Sequence, residues 1–233
     1  MQEFTDPALA KLFEGIQGFQ QRFYRQEPDK MRGLVEYGQH PEVLLIACSD
    51  SRVDPALLTG AAPGELFVVR NVANLVPPYS LEGKYDGARS AIEYAVRDLK
   101  VKHIVVLGHA HCGGIKAFLS GFAGQPLPRD FIGGWVSIAM DACCNYVMKP
   151  LSGGEDSGGE EVRELDIGSL REHQHLVERA AIRGSLANLA TYPWLKERID
   201  AGELSLWGWW FDLETGDLWA TDAANTTFLP VLD

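Results

Sequence analysis

Two apolar runs, each cut off by a burst of polar chemistry, constrain this chain more than any other feature. Residues 43–52 read VLLIACSDSR, and residues 103–114 read HIVVLGHAHCGG. A continuous apolar run bounded by turn residues is what a strand covered on both faces of a parallel sheet requires. Open parallel sheets collect their ligands at the carboxyl ends of such strands. The two strand ends therefore bring Cys48, Asp50, His109 and Cys112 toward one another. Between them, residues 66–70 read as another strand. Residues 87–99 read as a helix with Ala88, Ala91, Ile92, Ala95 and Leu99 on one face. Strand, helix and strand in that order form a βαβ crossover, which implies parallel pairing.

Two thiolates and one imidazole are the ligand chemistry of Zn²⁺, and a Cys₂His set completed by water matches the catalytic pattern rather than the closed structural one. His109-x-x-Cys112 lets one short turn supply two ligands, while Cys48 supplies the third from a neighbouring strand. This departs from the paired CxxC spacing of zinc ribbons and fingers. Gly113-Gly114 after the last ligand allows a tight turn and opens a helix whose backbone N–H groups point near the metal. His111, between His109 and Cys112, is a competing ligand candidate.

CSDSR followed by GHxxCGG resembles the signature of the β-class carbonic anhydrases. The similarity extends from about residue 13 to the C-terminus and includes PGELFVVRNVAN at 63–74 and YDGARSAIEYAV at 85–96, in the family's order. The resemblance implies Cys48, His109 and Cys112 as zinc ligands and Asp50 and Arg52 as a catalytic dyad. It does not require His111, which is assigned to solvent or to the surroundings of the site. It also implies reversible hydration of carbon dioxide to bicarbonate and a proton through zinc-bound hydroxide. Zinc lowers the pKa of its bound water toward roughly 7, an effect that two thiolates by themselves oppose. Asp50 can accept a hydrogen bond from that water, and Arg52 can hold the Asp50 carboxylate through its planar fork. Asp50 is also an alternative fourth ligand in a closed state; hydroxide displaces it more readily as pH rises, so activity is expected to increase toward alkaline pH. Gln39, nine residues before Cys48, together with Phe67 and Tyr94 matches positions that line the substrate pocket in plant-like members, partly from the neighbouring subunit. Gly113 lets substrate approach the metal. Leu45 stands where members with a non-catalytic bicarbonate site carry tryptophan, so that regulatory site is not expected. Two other classes stay open: a hydrolase of carbonyl sulfide or carbon disulfide on the same fold, and a non-catalytic zinc protein serving stability or redox sensing.

The expected fold is α/β: a central, mostly parallel β-sheet flanked by helices, with an N-terminal helical arm and a C-terminal strand hairpin. One zinc domain is expected over residues 1–233, with the arm at about 1–38 and a flexible acidic loop at about 152–161. In the arm, Asp6-Pro7 starts a helix on which Leu9, Leu12, Phe13, Ile16, Phe19 and Phe23 share a stripe. Such a stripe must be buried on its own domain or on a partner. In proteins resembling this one it reaches across a dimer, so a homodimer or a dimer of dimers is expected. Residues 131–148 and 170–189 carry helical patterns. His173 and His175 are two apart on the latter, a poor metal pair, and Cys143-Cys144 reads as helix packing. Residues 204–213 and 218–221 flank a turn and read as a hairpin rich in Trp.

A net charge of −11 argues against nucleic acid as a partner, because phosphate neutralisation needs a basic surface. No apolar run reaches the roughly 18 residues that span a bilayer. The N-terminus shows neither a basic region nor an apolar core of a targeting signal, so no membrane association and a cytoplasmic location are expected.

Overall fold

The computed structural model describes residues 6–82, 86–125, 127–148 and 167–231. The acidic stretch at 152–161 lies outside the described residues. The chain divides into two compact units, residues 1–40 and 41–233.

In the N-terminal unit, α1 (Pro7–Gln20) runs on through a wider turn (Gln21–Gln26), and α2 (Pro28–Tyr37) follows. Asp6 caps α1 by accepting from the N–H groups of Ala8 at 2.9 Å and Leu9 at 3.2 Å, with Pro7 opening the helix. This satisfies donors that a helix start otherwise leaves bare. No residue of α1 is buried. Phe23, in the wider turn, is buried and stacks on Phe19 with ring centroids 4.7 Å apart.

The second unit is built on one six-stranded sheet in the order β2-β1-β3-β4-β5-β6. Its strands are β1 (Val43–Cys48), β2 (Leu66–Asn71), β3 (His103–His109), β4 (Ser205–Phe211), β5 (Leu218–Thr221) and β6 (Phe228–Pro230). The first four are mutually parallel, and β5 and β6 return antiparallel. The Trp-rich hairpin of the sequence is thus β4 and β5, with β4 also joined to β3. Helices α3 (Pro55–Thr59), α4 (Gly87–Glu93), α5 (Gly113–Phe122), α6 (Ile132–Val136), α7 (Ala139–Cys143), α8 (Ile167–Glu172), α9 (Gln174–Leu189) and α10 (Pro193–Asp200) fill the connections.

Both faces of the central strands are covered, which is why their sequence runs are unbroken. Leu44, Ile46, Ile104 and Val106 pack with Ile92 of α4, Ile182 and Leu186 of α9 and Leu195 of α10. The alternate residues Leu45, Ala47, Val105 and Leu107 form a second buried layer against Leu58 and Trp209. Two helical readings need correction. Residues 131–148 are not one helix: α6, weakened from within by Gly133-Gly134, ends before a turn at 137–138, and α7 then passes into a wider turn at Cys144–Met148. The 170–189 pattern is split at His173, whose backbone (φ −113°, ψ 45°) leaves the helical region.

α9 lies close against α7 at one small-residue contact. A Cβ on Gly184 would fall 2.4 Å from the Ala142 Cβ. Replacing an interior helix glycine by alanine ordinarily favours the helix by about 1 kcal/mol, whereas overpacking costs about 1–3 kcal/mol. Gly184→Ala is therefore expected to lower stability in denaturant titration, and Ala142→Gly in the same chain to restore most of it. A Gly184→Ala chain more stable than the parent would refute this close approach.

Candidate metal centre

β1 and β3 are neighbours, and both run out of the sheet at the same end. In register, Ala47 is level with Leu107 and Cys48 with Asn71 of β2. His109 thus ends its strand just beyond the level of Cys48, and the turn at 110–112 brings Cys112 back beside it. The sulfur atoms of Cys48 and Cys112 are 3.9 Å apart. With a ring nitrogen of His109 they form a group whose ligand atoms all lie within 4.8 Å of one another, and all three residues are buried.

The imidazole is set for ligation. Nδ1 of His109 faces the Ala110 carbonyl at 2.8 Å. A carbonyl oxygen can only accept, so Nδ1 carries a proton, which leaves Nε2 as the nitrogen available to a metal. Nε2 is buried and has no hydrogen-bond partner among the described residues, a costly state unless something binds it.

The thiols are equally unsettled. The Cys48 thiol is pulled down to about 4, first by the hydrogen bond from the Cys112 thiol, against its burial, and then by His109 and the N–H groups of Asp50 and Ala73. Cys112 is pushed far above the usual thiol range by that same bond and by burial, although the N–H groups of Ile115 and Gly114 act against the rise. One proton is thus shared by two sulfurs. A divalent cation removes the conflict, because a coordinating thiol is deprotonated outright. Zn–S bonds of about 2.3 Å at a tetrahedral angle place two sulfurs about 3.8 Å apart, close to the spacing found. The residues present fit zinc.

Asp50 stands beside this triangle, with Oδ2 3.8 Å from His109 Nε2. Its Oδ1 accepts from the Arg52 N–H at 3.0 Å and from Arg52 Nε at 2.9 Å, and its Oδ2 from Arg52 Nη2 at 2.7 Å. This fork holds the Asp50 carboxyl far below the ordinary carboxylate range. Arg52 Nη2 also donates to the His111 carbonyl at 3.1 Å. His111 adopts a left-handed backbone (φ 56°), and its ring meets Glu214 at 2.7 Å.

Of the other pocket residues expected from sequence, Phe67 and Tyr94 are set apart from this cluster. Phe67 and Tyr94 pair with each other, ring centroids 5.8 Å apart. Phe67 is level with Leu44, whereas the ligand Cys48 is level with Asn71, four residues further along β2, or about 13 Å at strand rise. Gln39 is exposed and lies in the N-terminal unit, between α2 and β1. Gly113 opens α5, with nothing beyond its chain neighbours and its own helix backbone within 4 Å of where its Cβ would stand.

Sequence reasoning missed the residues that brace the site. Arg70 donates from Nε to the Cys48 carbonyl at 3.0 Å, from Nη2 to the Asp50 carbonyl at 2.7 Å and from Nη1 to Asp54 Oδ2 at 2.9 Å. It thereby pins the whole Cys48–Asp54 turn. The signal was an arginine closing an otherwise apolar strand. Glu178 is 3% exposed on α9 and accepts the Cys112 N–H at 2.9 Å. Its signal was an acid between Val177 and Ala180 on a buried helix face.

The carbonic anhydrase family model matches residues 43–218. A carbonic anhydrase from Synechococcus elongatus is 36% identical over 213 residues, 90% of this chain and 70% of that protein. The structure of the β-carbonic anhydrase CcaA superposes with a TM-score of 0.74 at 32% identity, covering 98% of this chain and 94% of that one. A tetrameric β-carbonic anhydrase from the ascomycete Sordaria macrospora gives 0.71 at 27% identity, over 91% and 96% of the two chains. The chain belongs to the carbonic anhydrase family, in its β class. It is an enzyme of CO₂ hydration, a carbonate dehydratase, in a class of zinc enzymes.

Proposed function

We propose that this carbonic anhydrase holds one Zn²⁺ on Cys48, His109 and Cys112, with Asp50 and Arg52 as its catalytic dyad. The observation that carries the reading is the convergence of two thiols and an unpartnered imidazole nitrogen within 4.8 Å, with the Asp50 carboxylate 3.8 Å from that nitrogen. When bound, zinc supplies the Lewis acidity that brings the pKa of a water toward roughly 7. Asp50 remains a carboxylate and so only accepts; once the water has released one proton to solvent, Asp50 would hold the nucleophile through its remaining O–H and leave an oxygen lone pair for carbon dioxide. Arg52 keeps Asp50 in that attitude. Released from Arg52, Asp50 is free to turn toward the metal as an alternative fourth ligand, which closes the site. Gly113 leaves the approach to the metal bare.

Phe67 and Tyr94 lie well below the ligands of their own chain, so we assign them, with Gln39, to the substrate pocket of a second subunit in a homodimer. Gln39 would donate to an oxygen of carbon dioxide or bicarbonate, and the ring pair would form an apolar wall. The α1 stripe supports this assembly. Leu12 is 64%, Ile16 52% and Phe19 41% exposed, an apolar surface that a partner would cover. A dimer of dimers is the larger form of the same arrangement. Among the described residues no helix is long and apolar enough to cross a membrane. The four cysteines, two of them needed as thiolates, fit a reducing compartment, and we place the enzyme in the cytoplasm.

Arg52→Ala tests the dyad. The variant is expected to keep its zinc but lose about 10–100-fold in CO₂ hydration, the usual cost of removing a partner that orients a metal site. A crystal structure of it is expected to show Asp50 turned onto the metal. Full activity, or loss of zinc with Asp50 pointing away, would show that Arg52 does not hold the site open. For the assembly, deleting residues 1–25 is expected to lower the sedimentation mass or precipitate the protein, and a soluble, fully active monomer would defeat the dimer.

A further inference from the structure

Cys112 is held by its backbone as firmly as its sulfur is placed. Its N–H donates to Glu178 Oε1 at 2.9 Å, and its carbonyl accepts from Gln174 Nε2 at 2.9 Å. The same Gln174 nitrogen donates to Glu178 Oε1 at 2.8 Å. Gln174 and Glu178 are four residues apart on α9, so both project from one face, one turn apart. Together they grip the Cys112 residue at both its N–H and its carbonyl.

Glu178 is itself braced. Its second oxygen, Oε2, accepts from Trp210 Nε1 of β4 at 3.1 Å. Trp210 is fixed in turn under the Arg179 guanidinium, 4.2 Å from its ring centre, and Arg179 also lies 4.6 Å from the ring of Trp219 on β5. A buried carboxylate is expensive unless its acceptors are filled. Here Cys112, Gln174 and Trp210 all donate to it. Neighbouring positions on this helix face carry Val177, Ala181 and Ile182, so packing alone is served by apolar residues. The acid is explained by the donor it meets, the amide of a ligand residue at the start of α5.

We propose that Glu178, braced by Gln174 and Trp210, is a positioning residue for the metal centre: it sets the Cys112 peptide so that Sγ already faces the metal position before the ion arrives. The proposal rests on the zinc reading above. A ligand held in place loses less conformational freedom when the ion binds, and partners of this kind typically contribute 10–100-fold to metal affinity. The conservative variant Glu178→Gln keeps an oxygen for the Cys112 N–H, whereas Glu178→Ala removes it.

The test is zinc affinity of the full chain by chelator competition, with the thiolate charge-transfer band of the Co²⁺-substituted protein as a reporter of ligand geometry. Glu178→Ala is expected to lose about 10–100-fold in zinc affinity and to shift the cobalt band. Glu178→Gln is expected to recover most of the affinity, and Trp210→Phe, which strips one donor from Glu178 but keeps the Cys112 bond, to fall between the parent and Glu178→Ala. A purely structural residue would lower the melting temperature of the metal-free chain while leaving affinity and band unchanged, and that result in a folded Glu178→Ala chain overturns the proposal. Should Glu178→Ala fail to fold, Gln174→Ala decides: weaker zinc binding with a shifted band supports the clamp, and parental values overturn it. A parent chain that takes up no zinc defeats the zinc reading itself, whereas a parent that binds zinc no better than a folded Glu178→Ala defeats the clamp alone.

Discussion

The site depends on two sulfur atoms 3.9 Å apart in a nearly dry place. Alone they settle for a single proton between them, because a second negative charge at that distance and depth is prohibitive. Everything around them lowers that barrier. N–H groups of Asp50 and Ala73 point to Cys48, and those of Gly114 and Ile115, at the start of α5, point to Cys112. Amides at a helix start favour negative charge. A divalent cation completes the neutralisation, and the lone pair of His109 faces the same point.

Strand ends alone do not hold such a cluster still. β1 and β3 fix the Cα positions of Cys48 and His109, but the turns that follow them are short and polar. Each is tied down from behind. Arg70 collects the carbonyls of Cys48 and Asp50 for the first turn, and Glu178 with Gln174 grips the backbone of Cys112 for the second. Arg52 links the two turns, joining the Asp50 carboxylate to the His111 carbonyl. The left-handed backbone of His111 is part of this link. Gly114 lets α5 approach closely, since a Cβ there would fall 2.7 Å from Val72 Cγ1 and 2.8 Å from the Ala73 Cβ. Chemistry thus sits on a double layer, ligands in front and charged braces behind.

How much of this could be read in advance follows from range. β1 and β3 were legible because burial on both faces writes an unbroken apolar run, and the ligands were legible because they sit where those runs stop. The Asp-Pro helix start at Asp6 was a local signal and locates α1. The braces were not legible. Arg70 acts on carbonyls about twenty residues away and Glu178 on an amide 66 residues away; a charge in an apolar strand or on a buried helix face marks each as unusual, but nothing local names its partner. α10 and β6 escaped as well, one short and weakly patterned, the other three residues long at the sheet edge. Phe67 and Tyr94 are a different case: resemblance named them for a pocket shared in part with a neighbouring subunit, and within their own chain they pair with each other away from the ligands.

The most direct test of the zinc centre is metal content and CO₂ hydration measured on one preparation before chelation, after it and after zinc is restored, beside Cys48→Ser. One zinc per chain is expected, with hydration lost on chelation and regained with zinc, and with little metal or activity in the serine variant, since a hydroxyl is a far poorer ligand than a thiolate. Full hydration by the metal-free chain, or a Cys48→Ser protein with full zinc and full activity, would contradict it.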